Sequence, residues 1–411
     1  MSKVIVVGGG AAGMMAAYQA AQNGNSVTLI EKNEKLGKKI YITGKGRCNL
    51  TNASDIEVLF NNVMTNRKFL YSAFYTFDNN KTIEFFENNG MPIKIERGNR
   101  VFPVSDHSSD VIAALSRALR ESKVEIMLKT NVTELIITDD KACGVVINGK
   151  KKLECDDVII ATGGLSYSST GSTGDGYRFA ADSGHNVTKC EPALVPMNIK
   201  EQWVKDLQGL SLRNVNVKIT NGRKKLFDEM GEMLFTHFGI SGPLILSASS
   251  MINRKYCNDN LQIFIDLKPA LDFEQLDKRI LRDFDEELNR QFKNSLNKLL
   301  PTKMVPVIVK LSKIDPDKQV NAISKEERHN LVTLLKNLPI TFNGFRGWNE
   351  AIITRGGVSV KDINPSTMQS KLVNNLYYCG EVLDIDALTG GYNLQIAWST
   401  GFLAGDSINN N

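Results

Sequence analysis

A glycine-rich turn at the start of the chain is the feature that most constrains its fold. The apolar run VIVV breaks into a GxGxxG turn at Gly8, Gly10 and Gly13, and the chain continues as a segment rich in alanine and methionine. The next apolar run ends at Glu31. Strand, glycine turn, helix, strand and acid in this order predict a dinucleotide-binding βαβ unit. In such a unit a diphosphate rests on the helix N-terminus, and Glu31 accepts hydrogen bonds from a ribose.

Composition narrows the class of protein. The 411 residues allow two or three domains, and 50 basic against 45 acidic residues give a formal charge of +5 without a basic block. Because the electrostatic footprint of a nucleic-acid-binding protein is absent, we expect a small-molecule substrate and no nucleic-acid partner. The sequence has no membrane-length apolar run and indicates no metal site, so we expect a cytoplasmic protein. The six cysteines are scattered and form no CxxC pair, which is typical of a cytosolic protein whose thiols stay reduced. They are Cys48, Cys143, Cys155, Cys190, Cys257 and Cys379.

Two helical patterns follow the first unit, at residues 67–88 and 110–121. Residues 132–155 then alternate between polar and apolar, which predicts a small antiparallel meander. Residues 157–164 have the pattern of a buried strand that ends in glycines. A meander in this place fits a flavin-type nucleotide domain better than it fits a repeated βαβ dehydrogenase.

The middle of the chain changes character at about residue 191, where short β-like segments replace the βαβ pattern. A helical region comes next, and its two helix starts are marked by capping boxes, Asp272 with Gln275 and Ser324 with Glu327. Apolar residues at three- and four-residue steps from 273 to 299 predict one long helix. The region as a whole predicts a small helical bundle.

Glycine-rich motifs return near the end of the chain. An apolar strand runs into Gly380 and Glu381, and Gly390 with Gly391 opens an alanine-rich helix. Motifs at both ends, with an insert between them, imply a discontinuous cofactor domain. An NAD-only dehydrogenase would not need this second block, so the arrangement favours FAD. The first motif would take the adenosine end, and the second the ribityl chain and the flavin ring, whose reduced form a helix N-terminus would stabilise.

Five stretches make a specific resemblance visible. In chain order they are GKGRCNLTN (44–52), TGSTGDGY (170–177), GEMLFTHFGISGP (231–243), TRGGVSVKDINPSTMQSK (354–371) and GEVLDIDALTGGYNLQIAWSTG (380–401). From end to end the sequence resembles the bacterial flavoproteins that include the aminoacetone oxidase family and the bile-acid dehydrogenation-product reductase. The resemblance implies an α/β fold with a discontinuous FAD-binding Rossmann domain of the glutathione-reductase-like type (1–190 and 345–411), an inserted β-barrel (191–270) and a small helical domain (271–344).

The resemblance also implies the cofactor contacts. The backbone of Val132 is expected at the adenine, and the full set falls on Gly8, Gly10, Ala11, Ala12, Gly13, Glu31, Lys32, Lys39, Gly46, Arg47, Cys48, Val132, Thr162, Gly163, Gly380, Glu381, Gly391, Asn393 and Leu394. The sequence has no second Rossmann unit for a nicotinamide. NADH or NADPH would therefore bind transiently near the flavin, or oxygen would reoxidise it.

Three residues are candidates for catalysis. Arg47 is suited to hold a pyrophosphate or a substrate carboxylate, with a surface ion pair as the alternative. His237 is suited to donate a proton to the substrate, and a structural role is the alternative. Tyr392 is suited either to protonate an enone carbon or to pack on the flavin. Cys48 has no partner cysteine nearby, so we expect packing or a flavin contact rather than a redox disulfide.

The resemblance offers two reactions. A reductase would take electrons from NAD(P)H and saturate a carbon–carbon double bond conjugated to a ketone, as in 3-oxo-Δ4 bile-acid or steroid-like substrates, and we favour this reaction. An amine oxidase would take a hydride from a compound such as aminoacetone and pass the electrons to oxygen. A further alternative is a flavin-containing protein that binds or modifies RNA, although the sequence shows no stripe of basic and aromatic residues.

Overall fold

The computed structural model describes residues 1–252 and 261–408, so Cys257 lies outside the described residues. The helices are α1 (Ala11–Gln22), α2 (Lys38–Ile42), α3 (Ile56–Asn61), α4 (Tyr71–Thr76), α5 (Asn79–Asn88), α6 (Ser108–Glu121), α7 (Asp175–Asp182), α8 (Pro243–Met251), α9 (Phe273–Asp285), α10 (Val305–Ser312), α11 (Lys325–Lys336) and α12 (Tyr392–Asp406). The strands are β1 (Lys3–Val7), β2 (Ser26–Ile30), β3 (Thr51–Asn52), β4 (Ile93–Glu96), β5 (Arg100–Pro103), β6 (Glu125–Met127), β7 (Val132–Thr138), β8 (Lys141–Ile147), β9 (Lys151–Glu154), β10 (Asp157–Ile160), β11 (Val187–Ala193), β12 (Met197–Ile199), β13 (Ser211–Asn221), β14 (Lys224–Phe235), β15 (Gly239–Ser241), β16 (Gln262–Asp266), β17 (Leu338–Phe345), β18 (Ile353–Val358) and β19 (Leu376–Tyr378). The chain forms two compact units, Met1–Ala193 with Trp348–Asn411, and Leu194–Gly347.

The first unit is built on a parallel sheet of five strands in the order β19-β10-β1-β2-β6. The apolar run of β1 is buried from Val4 to Val7, as expected for a parallel strand that is covered on both faces. It pairs with β2 on one side and with β10 on the other. The GxGxxG turn joins β1 to α1 in a βαβ unit, as the sequence predicted, and this unit lies in the middle of the sheet.

Helices from the two ends of the chain pack against each other in this unit. A Cβ atom at Gly401 of α12 would lie 2.3 Å from the carbonyl oxygen of Ala12, and one at Gly405 would lie 2.4 Å from that of Ala16. Only glycine allows two helices to approach so closely at these positions. The discontinuous Rossmann domain predicted from the sequence is thereby confirmed.

The predicted meander is also confirmed, as the antiparallel sheet β7-β8-β9. Its first turn places Asp139 and Asp140 at φ values of 49° and 54°, and its second places Asn148 and Gly149 at 50° and 68°. Positive φ at both central residues is the type I′ geometry, whose twist matches that of the adjoining strands.

Asp157, the first residue of β10, gives the fold a dependence on pH. Burial, and secondarily the Asp156 carboxylate, raises the pKa of Asp157 to about 6. The unfolded chain therefore loses this proton at a lower pH than the folded chain, so the free energy of unfolding falls as the pH rises from about 4 to about 6. We expect Asp157→Asn to raise Tm by about 2 °C at pH 8, with a gain that shrinks as the pH is lowered towards 4.

Differential scanning fluorimetry across this pH range measures the effect. Asp206→Asn is a matched control because Asp206 is exposed. A gain of equal size at pH 4 and pH 8 would contradict the titration of Asp157.

The second unit contains a closed barrel of six strands in the order β12-β15-β14-β13-β16-β17. The barrel implied by the resemblance is confirmed. Its last strand, β17, follows the helices α9 to α11 in the chain and pairs with both β16 and β12. The barrel is therefore not confined to residues 191–270, and the helices are an insertion between its last two strands.

The single long helix predicted for residues 273–299 is wrong. Helix α9 begins at the predicted capping box of Asp272 and Gln275 but ends at Asp285. Beyond it the chain turns to pair with a later segment, where the Phe292 amide donates to the carbonyl of Lys318 at 2.8 Å. Phe273 and Leu288, two members of the expected apolar face, are 45% and 50% exposed. The second capping box, at Ser324 and Glu327, begins α11 as predicted.

In the part of the chain that the structure describes, no helix is long and apolar enough to cross a membrane.

Candidate cofactor site

The carboxyl ends of the parallel strands bring the two sequence motifs to one edge of the sheet. Gly8 follows β1, Glu31 follows β2, Thr162 lies just beyond β10, and Gly380 lies just beyond β19. In open parallel sheets ligands bind outside the carboxyl ends of the strands. Residues more than 370 positions apart in the sequence, Gly8 and Gly380, therefore share one edge.

The glycine turn at this edge leaves space where a diphosphate is expected. A Cβ at Gly8 would lie 2.5 Å from the Ala161 carbonyl oxygen, and one at Gly13 would lie 1.8 Å from that of Gly8, so both glycines are needed by the fold. A Cβ at Gly10 would meet no atom within 4 Å. Gly10 is the N-cap of α1, and no side chain caps this helix. Its first amides are thus suited to an anion.

Glu31 is held at the end of β2 by its own surroundings. Its carboxylate accepts hydrogen bonds from the Gly9 amide at 2.8 Å, the Asn33 amide at 2.8 Å and the Asn33 side chain at 2.7 Å. A carboxylate offers about four acceptor positions, so a ribose hydroxyl still finds one. The ribose role predicted for Glu31 fits this geometry and stays a prediction.

Thr162, just beyond β10, has a buried side-chain hydroxyl. Among the described residues its Oγ1 is buried and has no hydrogen-bond partner. A Cβ at Gly176 would lie 2.3 Å from this oxygen, so the hydroxyl faces α7. The open space at Gly10 and the uncapped first turn of α1 show that the residues at this edge fit a dinucleotide.

The N-terminus of α12 forms the second part of the edge. Gly391 is its N-cap at φ +100°, and a Cβ there would lie 2.4 Å from the Thr51 carbonyl oxygen. No side chain caps this helix. The Asn393 side chain instead binds the preceding loop, accepting from the Ala387 amide at 3.0 Å and donating to its carbonyl at 2.8 Å. Because the Asn393 side chain is bound to this loop, a cofactor contact at Asn393 would be made by its backbone.

Lys39 and Glu381, both predicted cofactor contacts, bind each other. Lys39 Nζ lies 2.6 Å from a Glu381 carboxylate oxygen and 2.7 Å from Ser166 Oγ. The other Glu381 oxygen accepts from the Thr354 amide at 2.9 Å. Ser166 and Thr354 were not singled out from the sequence, although Thr354 begins the TRGG motif. They hold the loop after β10 to the strand β18.

Thr354 offers a test of this loop. Its buried Oγ1 accepts from the amides of Leu165 at 2.8 Å and Ser166 at 3.2 Å. Thr354→Val keeps the shape but leaves both amides without this acceptor, so we expect a loss of about 1 to 3 kcal/mol in the free energy of unfolding, measured by urea denaturation. Thr354→Ser retains the hydroxyl and should lose less than about 1 kcal/mol. Equal losses in the two variants would show that the methyl group matters and the hydroxyl does not.

Arg47 lies in a network of charges. Its guanidinium lies 2.5 Å from Glu96 and 2.5 Å from Asp106, over the ring of Phe102 at 4.2 Å. Hydrogen bonding to Glu96, and then to Asp106, raises the pKa of Arg47. The Arg47 side chain therefore forms ion pairs, which was the alternative given from the sequence. A substrate carboxylate would have to compete with Glu96 and Asp106 for the guanidinium. The cofactor and catalytic roles of Arg47 stay predictions.

Cys48, the next residue, is inaccessible to solvent. It takes a φ of +58°, and burial raises the pKa of its thiol to about 12. A thiol with so high a pKa is a poor nucleophile at neutral pH. The expectation that Cys48 packs rather than forms a redox disulfide agrees with this burial.

The two predicted proton donors belong to different units. Tyr392 is the first residue of α12, is buried and lies against Gly390, where a Cβ would be 2.8 Å from its ring. His237 lies in an exposed turn between β14 and β15, with its ring 4.9 Å from that of Phe238. Burial raises the pKa of Tyr392, so its phenol stays protonated at neutral pH.

The remaining predicted contacts lie at or near the same sheet. Lys32 pairs with Asp175 at 2.6 Å, and Val132 begins β7 next to the loop that follows β6. Ala11 and Ala12 begin α1 directly after the glycine turn, and Gly46 lies in the loop after α2. Gly163 lies in the loop after β10, and Leu394 lies in the first turn of α12.

Asp384 and Asp386 do not form a metal site in the structure. Asp386 is fully buried and accepts hydrogen bonds from Thr65 and from Arg355 at 3.3 Å. Across residues 1–252 and 261–408 no group of three histidine, cysteine, aspartate or glutamate side chains is placed to hold a metal ion.

The sequence matches the HI0933-like protein Rossmann domain over residues 2–407. The chain belongs to the HI0933-like family. A Rossmann-type FAD-binding domain and the class of flavin-dependent oxidoreductase are thereby confirmed.

Two kinds of curated relative match this HI0933-like chain over its whole length. It is 32% identical over 409 residues to the 3-dehydro-bile acid delta(4,6)-reductase of Clostridium scindens, covering 98% of each chain. It is 32% identical over 411 residues to the ribosomal RNA dihydrouridine synthase of Haemophilus influenzae, covering 99% of this chain and 98% of the relative. The Escherichia coli protein of that name is 30% identical and covers 98% and 97%.

Solved structures support the fold. The HI0933-like chain is similar to 3-ketosteroid delta1-dehydrogenase from Sterolibacterium denitrificans, with a TM-score of 0.53, 15% identity and 99% coverage of both chains. It is also similar to 3-ketosteroid-delta4-(5alpha)-dehydrogenase from Rhodococcus jostii, with a TM-score of 0.51, 14% identity and coverage of 100% and 97%. At these identities the likeness concerns the fold alone.

Proposed function

We propose that this chain is a flavin-dependent reductase that saturates a carbon–carbon double bond conjugated to a carbonyl group, with NADH or NADPH as electron donor. The observation that carries the proposal is the edge of the parallel sheet, where an open glycine turn and the uncapped N-terminus of α1 suit a dinucleotide. Full-length similarity to a delta(4,6)-reductase supports the direction of the reaction.

The names of both kinds of relative imply one reaction class. A 3-oxo steroid with a 4,6-diene carries its double bonds in conjugation with the ketone. Uracil carries its C5–C6 double bond in conjugation with the C4 carbonyl, and dihydrouridine is its reduced form. At the steroid 4-ene and at uracil C5–C6 a hydride adds to the carbon β to the carbonyl and a proton to the α carbon. At the steroid 6-ene the conjugation is longer by one double bond, so the hydride adds to the δ carbon. The substrates differ, but the bond that is reduced has the same chemistry.

Residues from the N-terminal and C-terminal motifs of the chain would bind different parts of the cofactor. Glu31 would hold the adenosine ribose and the α1 amides beyond Gly10 the diphosphate, while the α12 amides beyond Gly391 would face the pyrimidine side of the flavin. FAD, when bound, supplies the hydride at N5. The buried phenol of Tyr392 is the proton source that we propose for the α carbon, with His237 as the alternative.

A stopped-flow experiment tests the reductase against the amine oxidase. The protein is reduced under nitrogen with NADH or NADPH and then mixed separately with a 3-oxo-Δ4 steroid, with uridine-containing RNA and with oxygen. We expect one of the two unsaturated substrates to restore the absorbance of oxidised flavin faster than oxygen does. Fast reoxidation by oxygen alone, together with flavin reduction by aminoacetone, would overturn the reductase in favour of the oxidase.

Uridine in RNA is the second candidate substrate. The observation that favours it is the 32% and 30% identity, over nearly the whole chain, to two ribosomal RNA dihydrouridine synthases. This similarity is an argument against the expectation, drawn from composition, that the protein has no nucleic-acid partner. Mass spectrometry of RNA recovered from the stopped-flow mixture distinguishes it, because reduction adds two hydrogens to each modified uridine.

A further inference from the structure

Two exposed tyrosines stand side by side on the surface of the first unit. Tyr71 and Tyr75, one turn apart on α4, are 49% and 60% exposed. Their ring planes differ by only 7°, and their centroids are 6.4 Å apart. A single exposed tyrosine is ordinary, but two parallel rings side by side form a contiguous aromatic face of the kind that marks binding sites.

Buried aromatic side chains hold these rings in place. Phe60 lies beneath both, with its centroid 4.8 Å from that of Tyr71 and 6.1 Å from that of Tyr75. The inward face of α4 is anchored by the buried Ala73 and Phe74. Because the rings are already ordered, a ligand that stacks on them loses little conformational entropy on binding.

Two cationic residues lie in the short helical turn that leads directly into α4. The turn before α4 contributes Arg67 and Lys68 to the lining of a cavity of about 620 Å³, which Val360 borders from another segment. Arg67 donates to the Asn61 side chain at 2.9 Å. Within residues 1–252 and 261–408, neither Arg67 nor Lys68 forms an ion pair, so their charges are not neutralised by a neighbouring carboxylate.

We propose that this surface, formed by Arg67, Lys68, Tyr71 and Tyr75 and called here the α4 surface, binds a single strand of RNA. Aromatic faces on which bases stack, next to cations that attract phosphates, are the elements of single-strand recognition. Two parallel faces suit successive bases of a strand. The α4 surface also supplies the basic and aromatic combination that the sequence pattern did not reveal. The inference rests on the uridine form of the proposed function.

Binding without turnover tests the α4 surface. Fluorescence anisotropy of a labelled oligouridine of about 12 nucleotides is measured with the oxidised, FAD-loaded protein at about 50 mM salt. We expect Tyr71→Ala and Tyr75→Ala each to weaken binding about tenfold, and Lys68→Ala to lower the salt dependence by about one phosphate contact. The conservative variants Tyr71→Phe and Tyr75→Phe keep the stacking face and should bind as the parent does.

Tyr41→Ala is the matched control, because Tyr41 is a tyrosine of similar exposure, 59%, outside the α4 surface. Its RNA affinity should equal that of the parent. Parent-like affinity in the Tyr71→Ala, Tyr75→Ala double variant would overturn the inference, and so would a parent protein that binds no RNA at low salt. Reduction of uridine in RNA is measured separately on the same samples by mass spectrometry, so a failure of the proposed reaction does not register as a failure of RNA binding.

Discussion

Gly10→Ala is expected to abolish tight FAD binding while the protein still folds. The backbone of Gly10 has φ −84° and ψ −169°, which alanine adopts without strain, and an added Cβ meets no protein atom within 4 Å. The methyl group would instead occupy the space in which we place the diphosphate. We expect the affinity for FAD to fall about 100-fold or more, which corresponds to about 2.7 kcal/mol.

Titration of the apoprotein with FAD, followed by the quenching of flavin fluorescence, measures this affinity. Gly347→Ala is the matched control, since a Cβ at Gly347 also meets no atom within 4 Å and its φ is not positive. It should bind FAD as the parent does. Far-ultraviolet circular dichroism and the Tm of the apoprotein should change little in Gly10→Ala, because alanine at a helix N-cap costs at most about 1 kcal/mol. Parent-like FAD affinity in this variant would place the diphosphate elsewhere.

The sequence predicted those parts of the fold whose signals are local. A glycine turn between an apolar strand and a helix has one low-energy arrangement, so Gly8, Gly13 and Glu31 could be placed at the edge of a sheet without coordinates. The hairpin at Asn148 and Gly149 and the helix start at Asp272 are equally local, because a few adjacent residues decide them.

Contacts between distant segments could not be predicted in this way. The amide of Ser166 donates to Thr354, a partner 188 positions away, and Arg47 meets Glu96 at a separation of 49. Neither pair leaves a periodic pattern in the sequence. The prediction of one long helix failed for a related reason: spacing alone cannot show that α9 ends at Asp285 and that the chain then pairs with a distant segment at Phe292.

The candidate site shows the same division. Spacing and resemblance located residues at the sheet edge, but only the structure shows that Lys39 and Glu381 neutralise each other at 2.6 Å. The exposure of Tyr71 and Tyr75 also escaped prediction, because the surrounding apolar residues predict a helix without saying which tyrosine faces solvent. Polar pairing and exposure are properties of the folded chain.

Tyr392→Phe is expected to slow reduction of the unsaturated substrate by about 100- to 1,000-fold, the usual contribution of a general acid. The variant keeps the ring that lies against Gly390 and removes only the hydroxyl, so FAD binding and flavin reduction by NAD(P)H should remain as in the parent. Only the reoxidation of reduced flavin by the substrate, measured by anaerobic stopped-flow, should slow.

The pH dependence and a second variant decide between the two proton donors. Because burial raises the pKa of Tyr392 above its ordinary value, the phenol keeps its proton as the pH rises from 6 to about 9, and the parent rate should not fall over that range. His237→Gln should then leave the rate unchanged. If Tyr392→Phe reacts as fast as the parent while His237→Gln is slow, the tyrosine is not the proton donor and His237 takes that role.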